Sequence, residues 1–142
     1  MDSASEITFI LHGLATAYAR TGGKGKIRFT PQHQRTAMQS MQQVAAEAMD
    51  GRPPLQGPVS LILTFVWPWP KSMTERKRRA LGGNFRTARP DADNLAKLVA
   101  DALNGICYLD DAQVCELRVR KLYGESALTR VVIEPLSGEG GA

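Results

Sequence analysis

The sequence predicts a single domain of the α+β (α/β) class, in which a mixed sheet of about five short strands packs against two main helices. Short segments near the start, middle and end of the chain are apolar at alternate positions or throughout, a pattern typical of strands. Two longer stretches place apolar residues three or four apart, as amphipathic helices do. The chain has 142 residues, 43% of them hydrophobic, which suffices for one core but not for two. The domain is expected to span residues 1–136, with the glycine-rich residues 137–142 as a disordered tail.

The first predicted strand covers residues 6–12, where Ile7, Phe9 and Leu11 alternate with other residues until Gly13. A second extended segment is predicted at residues 24–29. It carries cations at alternate positions, and these are candidate phosphate contacts: Lys24, Lys26 and Arg28.

The first main helix is predicted to begin at Thr30 and Pro31, because threonine suits the N-cap and proline the first helical position. Its methionine-rich stripe has helical spacing and is expected to lie in the core: Met38, Met41, Val44, Ala45, Ala48 and Met49. Residues 59–66 are too apolar to be exposed on both faces and predict a central strand.

The chain is expected to leave the sheet at residues 67–70, Trp-Pro-Trp-Pro, since proline cannot donate to a strand ladder. The tryptophans either pack at the rim of the sheet or stack on bases. Residues 72–75 have a capping-box pattern that predicts a short basic helix, ended by Gly82 and Gly83. Residues 82–89 are expected to be a mobile loop that orders on a polyanion.

The strongest chemical signal lies in residues 89–114. Asp91 and Asp93 follow Pro90 directly and precede an amphipathic pattern that predicts the second main helix, with Asp93 or Asn94 as its cap. Lys97 lies one turn into this helix on its polar side, and Asp101 follows one turn later. After Gly105 a short connection leads to a second acidic pair, which the chain can bring back near the first: Asp110 and Asp111.

The last two predicted strands are the alternating residues 113–123 and residues 128–134, which are expected to form a terminal hairpin across the turn at residues 124–126.

Carboxylates crowded together repel one another and raise one another's pKa unless a hard cation lies among them, and Mg²⁺ is the natural candidate. The competing interpretation is that Asp91 and Asp93 only cap a helix while Asp110 and Asp111 only form a turn. Spacing alone does not decide between these two interpretations.

Positive charge is concentrated immediately before the acidic block. Residues 71–90 hold seven cations against one acid, a local charge of +6 in a chain of net charge +4. The cations are Lys71, Arg76, Lys77, Arg78, Arg79, Arg86 and Arg89. A charge run is usually only a solvated face, but this one adjoins an acidic site and therefore favours a nucleic acid partner.

The acidic block contains P-D-A-D-N-L-A-K, then D-A-L-N-G, then D-D-A-Q-V, and in this order it resembles the RusA family of Holliday junction resolvases. The resemblance extends over roughly residues 7–134. It implies a homodimeric, Mg²⁺-dependent endonuclease that resolves four-way DNA junctions by paired nicks in recombination and repair, with Mn²⁺ as an acceptable substitute.

By position in this motif, the implied metal ligands are Asp91, Asp93 and Asp111, with Asp110 as a further ligand or an outer partner of the metal. Lys97 matches the catalytic lysine of the family. Without the family, it makes an ordinary helix pair with Asp93. The DNA contacts expected from the charge pattern are Lys24, Lys26, Arg28, Lys71, Arg76, Lys77, Arg79, Arg86 and Arg89.

Two other functions remain open on the sequence: a branched-DNA-binding module without catalysis, and a nuclease of flaps or forks. No apolar run is long enough for a membrane span, and no basic secretory start is present, so a cytoplasmic protein is expected. Its two cysteines are expected to be unpaired thiols.

Overall fold

The computed structural model describes residues 6–18 and 31–137. Its elements follow one another as β1 (Ile7–His12), α1 (Pro31–Met49), β2 (Val59–Pro68), α2 (Glu75–Ala80), α3 (Ala92–Ala102), β3 (Val114–Gly124) and β4 (Leu128–Pro135). The predicted α+β class with one mixed sheet is confirmed. The described residues form four strands where about five were predicted, and the remaining predicted segment, residues 24–29, lies outside them, as do residues 138–142 of the predicted tail.

The sheet has the order β1-β4-β2-β3, so β2 is an inner strand as predicted. It pairs in parallel with β3 and antiparallel with β4, while β1 pairs antiparallel with β4. An inner strand uses its backbone donors and acceptors on both sides, which suits the most apolar segment of the chain.

The predicted terminal hairpin is wrong in its pairing. Although β3 and β4 are consecutive, β2 lies between them and pairs with both. The connection of residues 125–127 therefore spans two strand spacings, about 10 Å, which three extended residues can reach. The pattern of alternation and turn could not reveal this insertion, because it describes neighbours in the chain and not neighbours in the sheet.

The expectation that the chain leaves the sheet at Trp67 is also wrong. Trp67 and Pro68 continue β2 and pair with Tyr123 and Gly124 of β3. The pairing of β2 with β4 ends earlier, at Val66. Proline is tolerated beyond that point because only one neighbouring strand remains.

One face of the sheet and the two longer helices form the core. The buried residues of α1 are Met41, Ala45 and Met49, which confirms the predicted stripe, and α3 buries Leu95, Ala96, Leu98, Val99 and Ala102. They pack on the side chains of the inner strands that point to the same face, including Leu61, Leu63, Phe65, Val131 and Ile133. The opposite face carries Ile10, which is 40% exposed, and the half-buried Ile62, Val66 and Val132.

The short helix α2 begins after Thr74, whose side chain accepts a hydrogen bond from the Lys77 backbone N–H at 3.1 Å. The N-cap is therefore Thr74, not Ser72 at the start of the predicted capping box. The segment expected to be a mobile loop is paired without DNA, because Asn84 and Arg86 hydrogen-bond with the backbone of Tyr123 and Lys121 along the edge of β3.

Within residues 6–18 and 31–137, no helix is long and apolar enough to cross a membrane. Cys107 is buried and Cys115 is exposed, and both are unpaired as predicted.

Candidate active site

Asp91 occupies the N-cap position of α3, but its side chain makes no capping hydrogen bond. The predicted caps, Asp93 and Asn94, instead lie inside the first turn of the helix. Asp91 and Asp93 are both exposed. The structure therefore gives no support to the interpretation that Asp91 is present to cap the helix.

A network of hydrogen bonds brings the second acidic pair back toward α3. The buried Tyr108 donates its hydroxyl to the Ala100 carbonyl of α3 at 2.8 Å. Gln113 accepts from the Asp110 backbone N–H at 2.9 Å, and its amide donates to the Leu55 carbonyl at 3.0 Å. These bonds fix residues 108–113 between α3 and the chain that leads into β2.

The two carboxylates of the pair have different surroundings. Asp110 is the N-cap of a 3₁₀ turn, Asp111–Gln113, and its Oδ2 accepts from the Ala112 backbone N–H at 2.9 Å. The predicted turn-forming role is thus confirmed for Asp110. Asp111 is half-buried and faces Asp101 of α3 closely enough to hydrogen-bond with it.

Asp111 is the most electrostatically perturbed carboxyl group of this region. Its hydrogen bond with Asp101 is the largest cause that raises the pKa of Asp111, followed by burial and by the negative charges of Asp101 and Asp110, whereas Lys97 lowers it. Two carboxyl groups at such close range share a proton, or require a cation, to coexist. Asp111 is thus crowded by Asp101 and Asp110, whereas the predicted convergence with Asp91 and Asp93 is not seen among the described residues.

Tyr18 is a member of this cluster that sequence reasoning missed. Its hydroxyl donates to Asp101 Oδ2 at 2.7 Å, and the Lys97 Nζ lies 5.9 Å from the centroid of its ring. Burial, then the hydrogen bond to Asp101 and the acidic charges, raise the pKa of Tyr18 to about 12. The only signal in the sequence is a tyrosine in a run of small residues, which does not indicate this contact.

The predicted metal ligands are not assembled as a set. Asp91 precedes Asp101 by ten residues, about 15 Å along a helix axis. In the part of the chain that the structure describes, no three Asp, Glu, His or Cys side chains are arranged to hold a metal ion. The donor chemistry itself, carboxylate oxygens with mutual repulsion, fits a hard divalent cation. The ligand set of Asp91, Asp93 and Asp111 stays a prediction.

The segment just before Asp91 is anchored by one cation of the sheet edge. Lys121 of β3 donates through Nζ to the carbonyls of Ala88 and Pro90 at 2.8 and 2.7 Å. Burial and the charge of Arg86 lower the pKa of Lys121, while the charge of Asp91 raises it. Lys121 was not singled out by sequence reasoning, and it fixes the backbone that carries Asp91.

The predicted DNA contacts fall into three groups. The exposed ones are Lys71, Arg76, Lys77, Arg79 and Arg89. Arg86 is half-buried, with its guanidinium 4.3 Å from the Trp67 ring centroid and a hydrogen bond of 2.6 Å to the Arg89 carbonyl, so it has a structural role. The N-terminal group lies outside the described residues: Lys24, Lys26 and Arg28.

Comparisons with known proteins identify the family of this chain. The family model described as "Endodeoxyribonuclease RusA" matches residues 14–134. This chain therefore belongs to the RusA family of endodeoxyribonucleases, enzymes that cut within DNA strands. Among its relatives is YqaN of Bacillus subtilis (strain 168), described as uncharacterized, which is 38% identical over 140 residues covering 92% of this chain and 97% of that protein.

Replacing Tyr18 by phenylalanine removes the donor to Asp101 and keeps the ring beside Lys97. Because Asp101 contacts Asp111, we expect DNA cutting to fall by about 10- to 100-fold, as is typical when a group that orients a metal-binding carboxylate is lost. The control is Tyr108→Phe, which deletes a hydroxyl bound to the Ala100 backbone. It should lower unfolding stability by about 1 kcal/mol and, since this bond only helps to position residues 108–113, reduce cutting per folded molecule less than Tyr18→Phe does. Equal losses of cutting in the two variants would contradict a role for Tyr18 at the site.

Replacing Lys121 by methionine keeps an apolar stem but removes the donors to Ala88 and Pro90. We expect faster amide hydrogen exchange in residues 84–90, because the segment loses two of its anchoring bonds, together with reduced cutting. The control is Arg120→Met, the neighbouring cation, which points to the other face of the strand. The anchoring role is wrong if exchange in residues 84–90 stays at the level of the wild type.

Proposed function

We propose that this protein is a Mg²⁺-dependent endodeoxyribonuclease that resolves four-way (Holliday) junctions as a homodimer, by paired symmetric nicks in DNA recombination and repair. The observation that carries the proposal is the Asp111 carboxyl group, crowded by Asp101 and Asp110 beside Lys97, in a chain of the RusA family. Acidic crowding of this kind is unfavourable without a cation, and the exposed basic residues before Asp91 supply a surface for DNA.

The proposed metal ligands are Asp111, Asp91 and Asp93. Asp110 has only one carboxylate oxygen left for a metal, because the other accepts the capping hydrogen bond from the Ala112 backbone. When bound, Mg²⁺, or Mn²⁺ in its place, supplies an activated water and stabilises negative charge on the scissile phosphate. Lys97 is proposed to offset charge that develops on the phosphate or to orient the attacking water. Its charge already acts on Asp111.

Resolution of a four-way junction requires one cut in each of two symmetry-related strands, and one chain supplies one acidic cluster. A two-fold dimer provides two clusters in the matching symmetry. The face of the sheet opposite α1 and α3, which no other described element covers, offers apolar area for such a contact through Ile10, Ile62, Val66 and Val132. Sedimentation at micromolar concentration is expected to give about twice the chain mass of 15.5 kDa. A stable monomer that still makes both cuts in concert would contradict the dimer.

The experiment that tests the function is a gel assay with labelled four-way junctions, flaps, forks and linear duplexes, each with Mg²⁺, with Mn²⁺ and with EDTA. We expect paired nicks in four-way junctions with either metal and none with EDTA. Preferential cutting of flaps or forks would assign the protein to those substrates instead. Tight binding of junctions without cutting in any metal would favour a binding module that lacks catalysis.

A further inference from the structure

The ends of β2 and β3 carry aromatic rings that hold two arginines by their faces. Trp69 stacks on Tyr123 with ring centroids 4.5 Å apart and planes inclined by 20°. The Arg78 guanidinium lies 4.7 Å from the Trp69 ring centroid, and Arg86 lies 6.0 Å from that of Tyr123. Because these rings contact one another and the arginines, the rim-packing interpretation of the tryptophans is favoured over base stacking.

Arg78 differs from the other cations of α2. It is half-buried, whereas Arg76, Lys77 and Arg79 are exposed. Its Nε is buried and meets no acceptor among the described residues. Buried guanidinium donors are normally hydrogen-bonded. Stacking on Trp69 therefore holds the guanidinium group in place, although its Nε has no acceptor in the described part of the chain.

The Arg78 side chain lines an open cleft of about 490 Å³, together with Trp69, Tyr123, Asn84 and Glu125. A planar guanidinium presents paired N–H donors that match two oxygens of a phosphate or carboxylate. The negative charge of Glu125 would repel an anion in this cleft, but Glu125 is exposed and can turn toward solvent. Arg78, in contrast, is held by the Trp69 ring. The cleft is therefore suited to one anionic group.

The cleft lies at the same end of the sheet as Asp91. Tyr123 follows Lys121 by two residues, about 7 Å along a strand, and Lys121 binds the Pro90 carbonyl that precedes Asp91. A DNA strand bound at Asp91 would therefore lie within reach of the cleft. The anion expected there is a backbone phosphate and not a protein carboxylate.

We propose that Arg78, clamped on Trp69, forms a binding subsite for one phosphodiester of the DNA arm next to the acidic site. This proposal rests on the proposed function, since it assumes that DNA reaches Asp91. Arg78 is distinct from the exposed cations of α2, which contribute only charge. Its contribution depends on the orientation of the guanidinium and therefore on Trp69.

The test compares Arg78→Lys with Arg79→Lys in the same helix, since both keep the charge and lose the guanidinium fork. The affinity of the full chain for a fluorescent four-way junction is measured in EDTA, where no cutting is expected. We expect Arg78→Lys to weaken binding by about tenfold, several times more than Arg79→Lys does. Trp69→Leu, which frees Arg78 without changing charge, is expected to resemble Arg78→Lys. Thermal melting of each variant checks that it is folded.

A second measurement uses wild-type protein and does not depend on the folding of variants. Single neutral methylphosphonate linkages are moved along the junction arm, and one position is expected to weaken wild-type binding by about tenfold. Arg78→Lys should be insensitive to that position. The subsite is overturned if Arg78→Lys and Arg79→Lys lose equal affinity, or if no single linkage weakens binding. Either result leaves junction cutting and the proposed function unaffected. A wild-type chain that binds no branched DNA overturns both.

Discussion

Asp111→Asn is expected to lower the rate of DNA cutting by at least about 1000-fold while junction binding is kept or becomes tighter. The substitution removes a proposed metal ligand, and metal assistance is worth several kcal/mol of transition-state stabilisation. It also removes a negative charge from a surface that binds a polyanion, and the exposed cations of α2 are unchanged. Single-turnover cutting and binding in EDTA measure the two effects separately.

The same substitution should stabilise the folded protein in metal-free buffer. The pKa of Asp111 is raised in the folded state, so ionised Asp111 lowers the stability of the fold. This loss of stability is complete above the folded-state pKa. It is absent below the ordinary carboxyl pKa, near pH 4. The melting temperature of Asp111→Asn should therefore be higher than that of the wild type at pH 7 to 8, and this difference should vanish at low pH. A lower melting temperature at neutral pH would show that Asp111 is structural.

Asp110→Asn is the matched control, with the same loss of charge at the adjacent residue. Asparagine caps a helix as well as aspartate does, so the turn should be preserved. We expect a much smaller loss of cutting than in Asp111→Asn. A cutting rate of Asp111→Asn equal to that of the wild type would show that Asp111 is not part of the site.

Lys97→Ala is expected to slow cutting by about 100-fold or more with little change in unfolding stability. The exposed ammonium group acts on Asp111 and lies beside the Tyr18 ring, where electrostatic or proton-transfer assistance is typically worth this factor. An exposed helix pair contributes only about 0.2 to 0.5 kcal/mol to stability.

The control for Lys97 is Lys77→Ala, an exposed lysine of the basic helix. Lys77→Ala should bind DNA more weakly, and its cutting rate should return to that of the wild type at saturating protein concentration. The cutting rate of Lys97→Ala should remain low at saturation. If Lys97→Ala lost stability and activity in proportion, the structural interpretation of Lys97 would be preferred.

The sequence by itself determined the class of fold, the inner strand and the two main helices. These features follow from local periodicity, since alternation and three-to-four spacing place apolar residues on one face of an element. It also identified the acidic block and its resemblance to the RusA family, which the family comparison confirmed. Asp111 and Lys97 could be proposed as site residues because each has a defined position in this ordered motif.

Only the tertiary structure decided which distant residues meet. The insertion of β2 between β3 and β4, the contact of Tyr18 with Asp101, and the hold of Lys121 on Pro90 join residues that no local pattern connects. Strand order depends on which neighbours supply backbone hydrogen bonds to both sides of β2, the most apolar strand, and this is a property of the whole sheet. Periodicity assigns a residue to a face, but the partner on that face is determined by how the elements pack together.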